Sequence, residues 1–378
     1  MDKLKIAILE LETHTQVIKQ WDYLLRDSDV IDVDYYLHSK LKVNLAFLNP
    51  QKTFYTHSSS NLELEDFISG IPQYDLIIIN TLHRHFQSYS VLFEKQKTLC
   101  IVHNPNFSLF NKPVTIGNLI NEKAQFFYFL KLFVKERIQK YKDIIFQSDY
   151  FGVFSNAIYN EIVRSGIVSQ SRLNNISLVY NECLTFRDAL PVKIVIPGTV
   201  SEKRKDYLTV FETIEKLNPK SPIVFYFLGR PENKKMERKL DELSKLKRKN
   251  VEVVYFTKLI PSKEFDVIIQ SCHILLCPIK VKTSFYGVTE FYGKTKISGN
   301  EYDCIRNGKI GMFPTSYPRM DWHNWYYQNE NELLQSLNNI TVEMLKSEYE
   351  KLKPYAEKYT FEKVKNELEA KLIKLTQN

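Results

Sequence analysis

The chain has 378 residues, of which 44% are hydrophobic, 13% aromatic and 25% charged. This composition excludes disorder over most of the length and indicates about two folded domains. Lys and Arg number 52 against 44 Asp and Glu, and the net charge of +8 favours anionic, phosphate-bearing partners but lacks the dense basic tracts of a nucleic-acid-binding protein.

Cysteine usage and hydropathy bear on the cellular compartment. The five cysteines are odd in number and form no CxxC pair, so we expect no disulfide, no structural zinc and a reducing environment. The chain begins with a strand pattern instead of a signal peptide, and no later stretch is long and apolar enough to span a bilayer. We therefore expect a cytoplasmic protein, with peripheral contact to the inner membrane face left open.

Short apolar or β-branched runs alternate with helical periodicity along the whole chain, which predicts an α/β fold built from parallel βαβ units. In the first half, the predicted strands are 5–11, 33–37, 75–80, 98–103 and 150–154. A helix predicted over 118–145 mixes aromatic and basic residues between Phe126 and Lys142. Packing on the sheet is one interpretation of this helix, and contact with an anionic membrane or a lipid-linked acceptor is the other.

Periodicity is lost over 182–191, and a second series of strands follows this predicted linker. Its elements are a strand at 192–197, a loop and helix over 198–217, a strand at 223–229, a helix at 234–247, a strand at 251–256, a helix at 261–271 and a strand at 274–277. We expect one Rossmann-like doubly wound domain over 1–185, a second over 191–350, and C-terminal helices over 351–378 that could pack back on the first domain. The two sheets should face each other across a cleft at their carboxyl strand edges.

The turn after strand 192–197 is the first candidate site. Gly198 and Thr199 follow the strand, and Arg204 and Lys205 lie in a basic loop that opens the next helix. Free N–H groups at a helix start, the helix dipole and nearby cations all attract phosphate. A run of three basic residues is usually a solvated turn, but its position at a strand end favours a phosphate site.

The second candidate site lies over 291–303, ahead of the segment that ends at Gly308. It contains two glycines, two lysines and small polar residues at a predicted helix start, a combination that could bring backbone N–H groups close to a diphosphate. The residues concerned are Lys294, Thr295, Lys296, Ser298 and Gly299. A structural interpretation also fits, with Ser298 as N-cap and Glu301 completing a capping box, and both can hold at once.

Gly198, Lys205 and the acidic residue five positions before Gly308 resemble the second domain of GT-B glycosyltransferases, most of all glycosyltransferase family four. That family typically carries a glycine, an arginine and a lysine in the first loop. Gly198 and Lys205 match the glycine and the lysine, whereas Thr199 stands at the arginine position and Arg204 is near enough to substitute.

The family also carries two glutamates separated by seven residues, the second of them five before a glycine. Asp303 occupies the second position, and Thr295 stands where the first acid is expected. Glu290 and Glu301 are the nearby carboxylates that could replace it, and the sequence does not decide between them.

Histidines follow several predicted strands. His103 resembles the strand-end histidine that in this family lies beside the donor sugar and the acceptor, although such a residue often only satisfies backbone groups. His14 lies in the loop that faces the diphosphate in two-domain transferases, where it could bind the acceptor or simply start a helix. Imidazole can bond a sugar hydroxyl or accept a proton near neutral pH. His83 and His85 are predicted to be surface residues.

The resemblance implies a hexosyltransferase-like enzyme that moves a sugar from a nucleotide diphosphate sugar to a glycan or lipid-linked acceptor, with retention, without metal or other cofactor, in glycan or polysaccharide biosynthesis. Lys205 and Arg204 would offset charge on the leaving diphosphate, Asp303 would bind the ribose, and His103 would position donor or acceptor. Two alternatives stay open. One is a nucleotide-sugar epimerase of related fold, which needs several carboxylates around the sugar, and the other is a non-catalytic nucleotide-binding module.

Overall fold

The computed structural model describes residues 2–58, 60–110, 112–115, 127, 130, 132–134, 138–246 and 250–377. The chain divides into two compact units by its internal contacts. The first unit comprises Met1–Leu178, Ser284–Ile297 and Glu362–Asn378, and the second comprises Val179–Thr283 and Ser298–Phe361. Each unit therefore draws on more than one stretch of sequence.

A parallel sheet of seven strands, ordered β3-β2-β1-β4-β5-β6-β7, forms the centre of the first unit. These strands are β1 Leu4–Glu10, β2 Ile31–His38, β3 Thr53–Thr56, β4 Leu76–Ile79, β5 Thr98–Ile101, β6 Tyr150–Val153 and β7 Leu173–Asn175. The described α-helices between them are α1 Thr15–Leu25, α2 Asn61–Ser69, α3 Ser90–Lys95, α4 Pro105–Ser108, α5 Tyr141–Ile145 and α6 Asn156–Ser165. All four residues of β4 are apolar and buried, as expected of a central parallel strand covered on both faces.

The second unit repeats this plan with a sheet of six strands, ordered β10-β9-β8-β11-β14-β15. The strands are β8 Val192–Pro197, β9 Ile223–Leu228, β10 Val251–Tyr255, β11 Ile274–Leu276, β14 Ile310–Pro314 and β15 Trp325–Tyr327. Its described α-helices are α7 Tyr207–Lys216, α8 Lys234–Ser244, α9 Ser262–Ser271, α10 Gly299–Arg306, α11 Glu330–Asn339 and α12 Val342–Ala356. Apolar residues of α7 pack with β8 and β9 in one buried cluster.

Two further elements complete the chain. Strands β12 Lys282–Phe285 and β13 Val288–Phe291 form a two-stranded sheet, and the hairpin segment, residues 284–297, belongs to the first unit. The last helix, α13 Phe361–Gln377, lies almost wholly with the first unit, where Lys365 donates to the carbonyl of Asp27 at 3.1 Å. Short 3-10 helices occur at Ser39–Leu45, Pro50–Lys52, Phe86–Tyr89, Ile138–Lys140 and Glu357–Tyr359.

The predicted α/β class is confirmed, and the nine strands predicted from sequence occur within two residues of their expected limits. Most of the helix predicted over 118–145 lies outside the described residues. Where it is described, Leu132 is buried, whereas Phe133 and Val134 are exposed. No helix in the described part of the chain combines the length and the apolar character needed to cross a membrane.

Candidate functional site

The strand order of each sheet reverses at one point, which lies between β1 and β4 in the first unit and between β8 and β11 in the second. Loops leaving neighbouring strands in opposite directions open a crevice there, so this is where open α/β sheets bind ligands. His14 and Thr81 follow β1 and β4, and Gly198 and Pro278 follow β8 and β11. The predicted site residues of each unit therefore start from the correct sheet edge.

Glu10, at the end of β1, is the centre of the site in the first unit and is fully buried. Its Oε1 accepts hydrogen bonds from the backbone N–H of Glu12 at 2.6 Å and of Thr13 at 3.1 Å. Its Oε2 accepts from Asn80 Nδ2 and from Thr81 Oγ1, each at 2.6 Å. Burial raises the pKa of Glu10, and these bonds oppose the rise. The carboxyl group thus joins the loop after β1 to the loop after β4.

The protonation of His14 follows from this network. Its Nδ1 lies 2.7 Å from Thr81 Oγ1, and because the Thr81 hydroxyl donates to Glu10, Nδ1 must carry the hydrogen. Burial, together with the neighbouring His83, lowers the pKa of His14 to about 4. His14 is therefore neutral at pH 7, and its Nε2 has a lone pair with no hydrogen-bond donor among the described residues.

His103 is the second neutral imidazole of this site. Its Nε2 lies 2.7 Å from the carbonyl oxygen of Asn80, so Nε2 carries the hydrogen and Nδ1 keeps its lone pair. The ring packs against that of His14, with the centroids 4.1 Å apart and the planes tilted by 40°. Burial, with His14 and His83 nearby, holds the pKa of His103 well below its usual range. Two such acceptor nitrogens suit ligand hydroxyl groups, since phosphate oxygens need donors.

The prediction that His83 and His85 are surface residues is wrong, because the loop after β4 folds back onto the sheet edge. His83 is 4% exposed and His85 8%. Glu12 Oε1 accepts from the backbone N–H of His83 at 2.6 Å, and its Oε2 lies 3.7 Å from the His83 ring. Burial alone would raise the pKa of Glu12, but the hydrogen bonds and charge of His83 lower it.

Glu10, Glu12 and His83 are site residues that the sequence analysis missed. The signal available was the placement of two glutamates within and directly after the apolar run of β1, where a polar side chain has to find buried partners. Burial of His83 depends on the path of a loop and leaves no comparable trace in the sequence.

The hairpin segment contributes further groups to the first unit. Lys296 Nζ donates to Asn104 Oδ1 at 2.6 Å, and the backbone N–H of Phe107 donates to Glu290 Oε1 at 2.9 Å. Glu290 is fully buried, and burial raises its pKa to about 7. Its Oε2 has no hydrogen-bond partner in the part of the chain that the structure describes.

The structure divides the second candidate site between the two units. Lys294, Thr295 and Lys296 belong to the first unit, whereas Ser298 and Gly299 belong to the second. Thr295 is buried and accepts from the backbone N–H of Phe291 at 2.8 Å, so it holds the turn after β13. Lys294 is exposed.

Lys205 and Gly198 form the centre of the site in the second unit. Gly198 has a φ of +93°, and a Cβ on it would lie 3.4 Å from Lys205 Nζ, so a side chain there would be both strained and close to the ammonium. Lys205 Nζ also bonds the carbonyl of Pro197. Burial lowers the pKa of Lys205 to about 8, and Asp303 opposes this shift.

The expectation of free N–H groups at the start of the helix after β8 is wrong. The helix begins at Tyr207, and two carboxylates that precede it in the chain accept hydrogen bonds from N–H groups of its first turn. Glu202 accepts from the N–H of Leu208 at 2.8 Å, and Asp206 accepts from that of Thr209 at 3.3 Å. The helix dipole is therefore already neutralised by the protein's own acids.

The basic residues of the loop between β8 and α7 differ in whether they form ion pairs within the protein. Lys203 pairs with Glu232 at 2.5 Å and is exposed. Arg204 is exposed with no ion pair among the described residues, and the backbone N–H of exposed Thr199 donates to no described group. Lys205, Arg204 and the Thr199 amide are therefore the donors that remain for an anion.

Asp303 lies on α10 and has a carboxylate that could accept hydrogen bonds from ligand hydroxyl groups. Burial raises its pKa to about 6, while Lys205 opposes the rise, and its side chain accepts a single long bond from Asn300 Nδ2 at 3.4 Å. Glu301 instead accepts from the hydroxyl of Tyr317 at 2.7 Å. Glu301 is thus engaged in packing, and Asp303 keeps acceptor capacity for a ligand.

Two predicted features of α10 have different outcomes. Ser298 is the N-cap and accepts from the N–H of Asn300 at 3.3 Å, as predicted, but Glu301 does not complete the capping box because its carboxyl group binds Tyr317. Gly308 follows the helix with a φ of +59°, and a Cβ there would lie 2.3 Å from the carbonyl oxygen of Cys183. Close approach of the chain thus explains this glycine.

Side chains that could ligate a metal do not cluster in the described part of the chain. No group of three or more His, Cys, Asp and Glu side chains there is arranged to hold a metal ion. His14, His83 and His103 instead use their nitrogens and rings on Thr81, Asn80, Asn104 and one another.

Comparison with known proteins gives the fold. No protein-family model matches the chain, and no curated protein matches it. Among solved structures, a glycosyltransferase from Rickettsia africae has 11% sequence identity, a TM-score of 0.64 and coverage of 100% of both chains. The pneumococcal O-GlcNAc transferase GtfA, in complex with UDP and GlcNAc, has 8% identity, a TM-score of 0.60 and coverage of 100% of both chains.

A putative UDP-N-acetylglucosamine 2-epimerase from Listeria monocytogenes is also similar, with 9% identity, a TM-score of 0.51 and coverage of 97% of this chain and 94% of the other. These likenesses show a GT-B fold of two Rossmann-like units, as the sequence predicts. At such low identity they show the fold alone, and membership in family four stays a prediction.

Proposed function

We propose that the chain is a glycosyltransferase that moves a hexose from a nucleoside diphosphate sugar to a hydroxyl group of a glycan or lipid-linked acceptor. The observation that carries this proposal is the presence of Lys205 and Asp303 in one unit, each influencing the pKa of the other. A nucleoside diphosphate needs cations at its phosphates and a hydrogen-bond acceptor at its ribose hydroxyls. Lys205 with Arg204 supplies the first, and Asp303 supplies the second.

The first unit suits the sugar hydroxyls of the acceptor. His14 Nε2 and His103 Nδ1 are neutral acceptor nitrogens, fixed by the bonds that their other nitrogens make to Thr81 and to the Asn80 carbonyl. A hydroxyl group can donate to either nitrogen, and fixed imidazoles orient it without paying for reorganisation. His103 would thus position the donor sugar or the acceptor, and His14 would bind the acceptor.

The proposed reaction breaks the bond between the anomeric carbon and the diphosphate oxygen and forms a bond between that carbon and the acceptor oxygen. Negative charge grows on the leaving diphosphate, and Lys205 and Arg204 stabilise it in place of a divalent cation. The acceptor proton moves to an oxygen of the departing diphosphate, on the same face of the sugar as the new bond. The anomeric configuration is then retained.

This reaction extends a sugar chain, so we place it in glycan or polysaccharide biosynthesis on the cytoplasmic side of the cell. A lipid-linked acceptor would bring the protein to a membrane surface without any membrane-spanning helix. The anionic donor and the chain's net charge of +8 are compatible with this placement.

Epimerisation of a nucleotide sugar is the second candidate, and the buried glutamates of the first unit are the observation that favours it. Glu10 and Glu12 lie beside the histidines, but Glu10 already accepts four hydrogen bonds and Glu12 accepts two backbone N–H groups. Both carboxylates are thus committed to holding loops. Transfer therefore explains more of the site than epimerisation does.

The test is incubation of the full chain with UDP- and GDP-sugars in the presence of EDTA, following both nucleotide release and the configuration of the sugar. Slow release of free nucleotide, accelerated by an acceptor, supports a transferase that needs no metal. Interconversion of the sugar nucleotide supports the epimerase, and binding without turnover supports the nucleotide-binding module.

A further inference from the structure

The turn of the hairpin segment has an unusual residue at its first position. Tyr286 and Gly287 form the two-residue connection between β12 and β13, with φ values of +47° and +80°. A hairpin turn with two positive φ angles normally carries Asn-Gly, Asp-Gly or Gly-Gly, because a bulky side chain is strained there. Tyr286 is therefore strained, and its half-buried ring packs against the core of the unit beside Phe107.

Contacts within the first unit keep the turn in this conformation. The backbone N–H of Thr115 donates to the carbonyl of Gly287 at 3.0 Å, and Val114 bridges Val288 in antiparallel fashion. One residue further along β13, Asn106 Nδ2 donates to the carbonyl of Thr289 at 2.8 Å. Backbone contacts thus hold the chain after the strained residue, and before it the Phe285 ring packs on His83 and Phe107. Strain held by its surroundings in this way is concentrated at ligand-binding sites.

The ring of Tyr286 belongs to a row of aromatic rings that leads to the histidines. Its centroid lies 4.2 Å from that of the Phe285 ring, and the Phe285 centroid lies 4.6 Å from that of His83. The centroids of His83 and His14 are 6.2 Å apart. Tyr286 and Phe285 are both half-buried, so each keeps part of its ring surface accessible. The row thus runs from the partly accessible ring of Tyr286 to the imidazole of His14, the proposed hydroxyl-binding group.

We infer that Tyr286 determines acceptor specificity by stacking on the apolar face of a sugar ring, and that the acceptor is an oligosaccharide. The inference rests on the proposed transferase function, in which His14 binds the reacting sugar residue of the acceptor. Two further rings separate Tyr286 from His14, so the stacked sugar is a different residue of the same glycan. The C–H face of a pyranose packs well on an aromatic ring, and the strain at Tyr286 is retained because asparagine or glycine would offer no such surface.

Binding of free glycans tests the inference without requiring turnover. The full-length wild-type chain and the variants Tyr286→Asn and Tyr286→Phe are compared on an array of mono- and oligosaccharides, with thermal unfolding measured for each. Asparagine tolerates positive φ but loses the ring contacts with Phe107 and Phe285, so we expect these two effects to offset each other and Y286N to unfold close to the wild-type temperature. We expect Y286N to lose about tenfold in oligosaccharide affinity, and Y286F, which keeps the ring, to bind like the wild type.

Equal oligosaccharide binding by Y286N and wild type would overturn the inference, and so would the absence of any glycan binding by the wild type. If Y286N instead unfolds at a lower temperature, Tyr286→Trp decides the matter. It keeps an aromatic surface in the same turn, so preserved affinity supports stacking and lost affinity contradicts it. Nucleotide release measured without added acceptor judges the proposed function separately, because hydrolysis of the donor does not depend on glycan affinity.

Discussion

His14 and His103 pack against each other with their ring centroids 4.1 Å apart, and burial keeps both imidazoles neutral at pH 7. Each ring uses one nitrogen as a donor to the protein and leaves the other as an acceptor. The pair is therefore suited to binding hydroxyl groups over the whole neutral pH range, and it becomes cationic only in acid.

Acid should destabilise the wild type through His14. Its pKa falls from 6.5 to about 4 on folding, so the unfolded state binds more protons between these values. The free energy of unfolding should then fall by up to about 3 kcal/mol as pH drops from 6.5 to 4. Urea denaturation of His14→Asn, which keeps a donor toward Thr81, should show a shallower decline with acid.

Exposed His57 provides the matched control. His57→Asn should decline with acid as the wild type does. The burial-based account of His14 is contradicted if H14N and wild type lose stability in parallel between pH 6.5 and 4.

Removal of the Thr81 hydroxyl should affect both stability and acceptor use. Thr81→Val leaves buried Glu10 short of one hydrogen-bond donor, which costs about 1–3 kcal/mol of unfolding free energy. It also removes the hydrogen-bond acceptor of the His14 Nδ1–H, so His14 is no longer held in place. The KM for the acceptor should therefore rise more than the KM for the donor. Thr81→Ser keeps the hydroxyl and should behave like the wild type. An equal acceptor KM for the two variants would show that the bond between Thr81 and His14 has no part in acceptor binding, and would contradict this prediction.

Glu290 should make the wild type less stable in mild alkali. Its pKa rises from 4.5 to about 7 on folding, so the stability present below pH 4.5 is lost as pH rises through 7. Glu290→Gln keeps the acceptor for the Phe107 N–H and removes the charge. At pH 8 this variant should have a free energy of unfolding higher than that of the wild type by on the order of 1–3 kcal/mol, as measured by urea denaturation. Exposed Glu65→Gln is the control and should change nothing.

The strands that the sequence predicts well are apolar runs covered on both faces, such as Leu76–Ile79. The strand Thr53–Thr56 was missed because it is a short edge strand of polar and aromatic residues. Strand Ile310–Pro314 was missed because it contains a glycine and a proline, which usually interrupt strands. A short run of sequence does not show which neighbouring strands it will pair with, and that pairing can stabilise a strand despite a glycine, a proline or polar residues.

The candidate site was predictable where its residues directly follow a strand. Gly198, His14 and His103 fall in this class, because parallel strands deliver their next residues to one sheet edge. Lys296 was assigned to the wrong neighbours, since the hairpin segment returns to the first unit after a strand of the second series. That return depends on contacts such as Lys296 with Asn104, nearly two hundred residues away, which no local pattern contains.

The central claim, that the second unit binds a nucleoside diphosphate through Lys205, is tested most directly by calorimetric titration of the full chain with UDP and GDP. Lys205→Met should weaken the binding of whichever nucleotide binds by about 1.5–3 kcal/mol, as expected for loss of a hydrogen bond to a charged group. Lys203→Met, which removes a neighbouring lysine already paired with Glu232, should bind like the wild type. Equal affinity of the Lys205 and Lys203 variants, or no binding of either nucleotide by the wild type, would contradict the account.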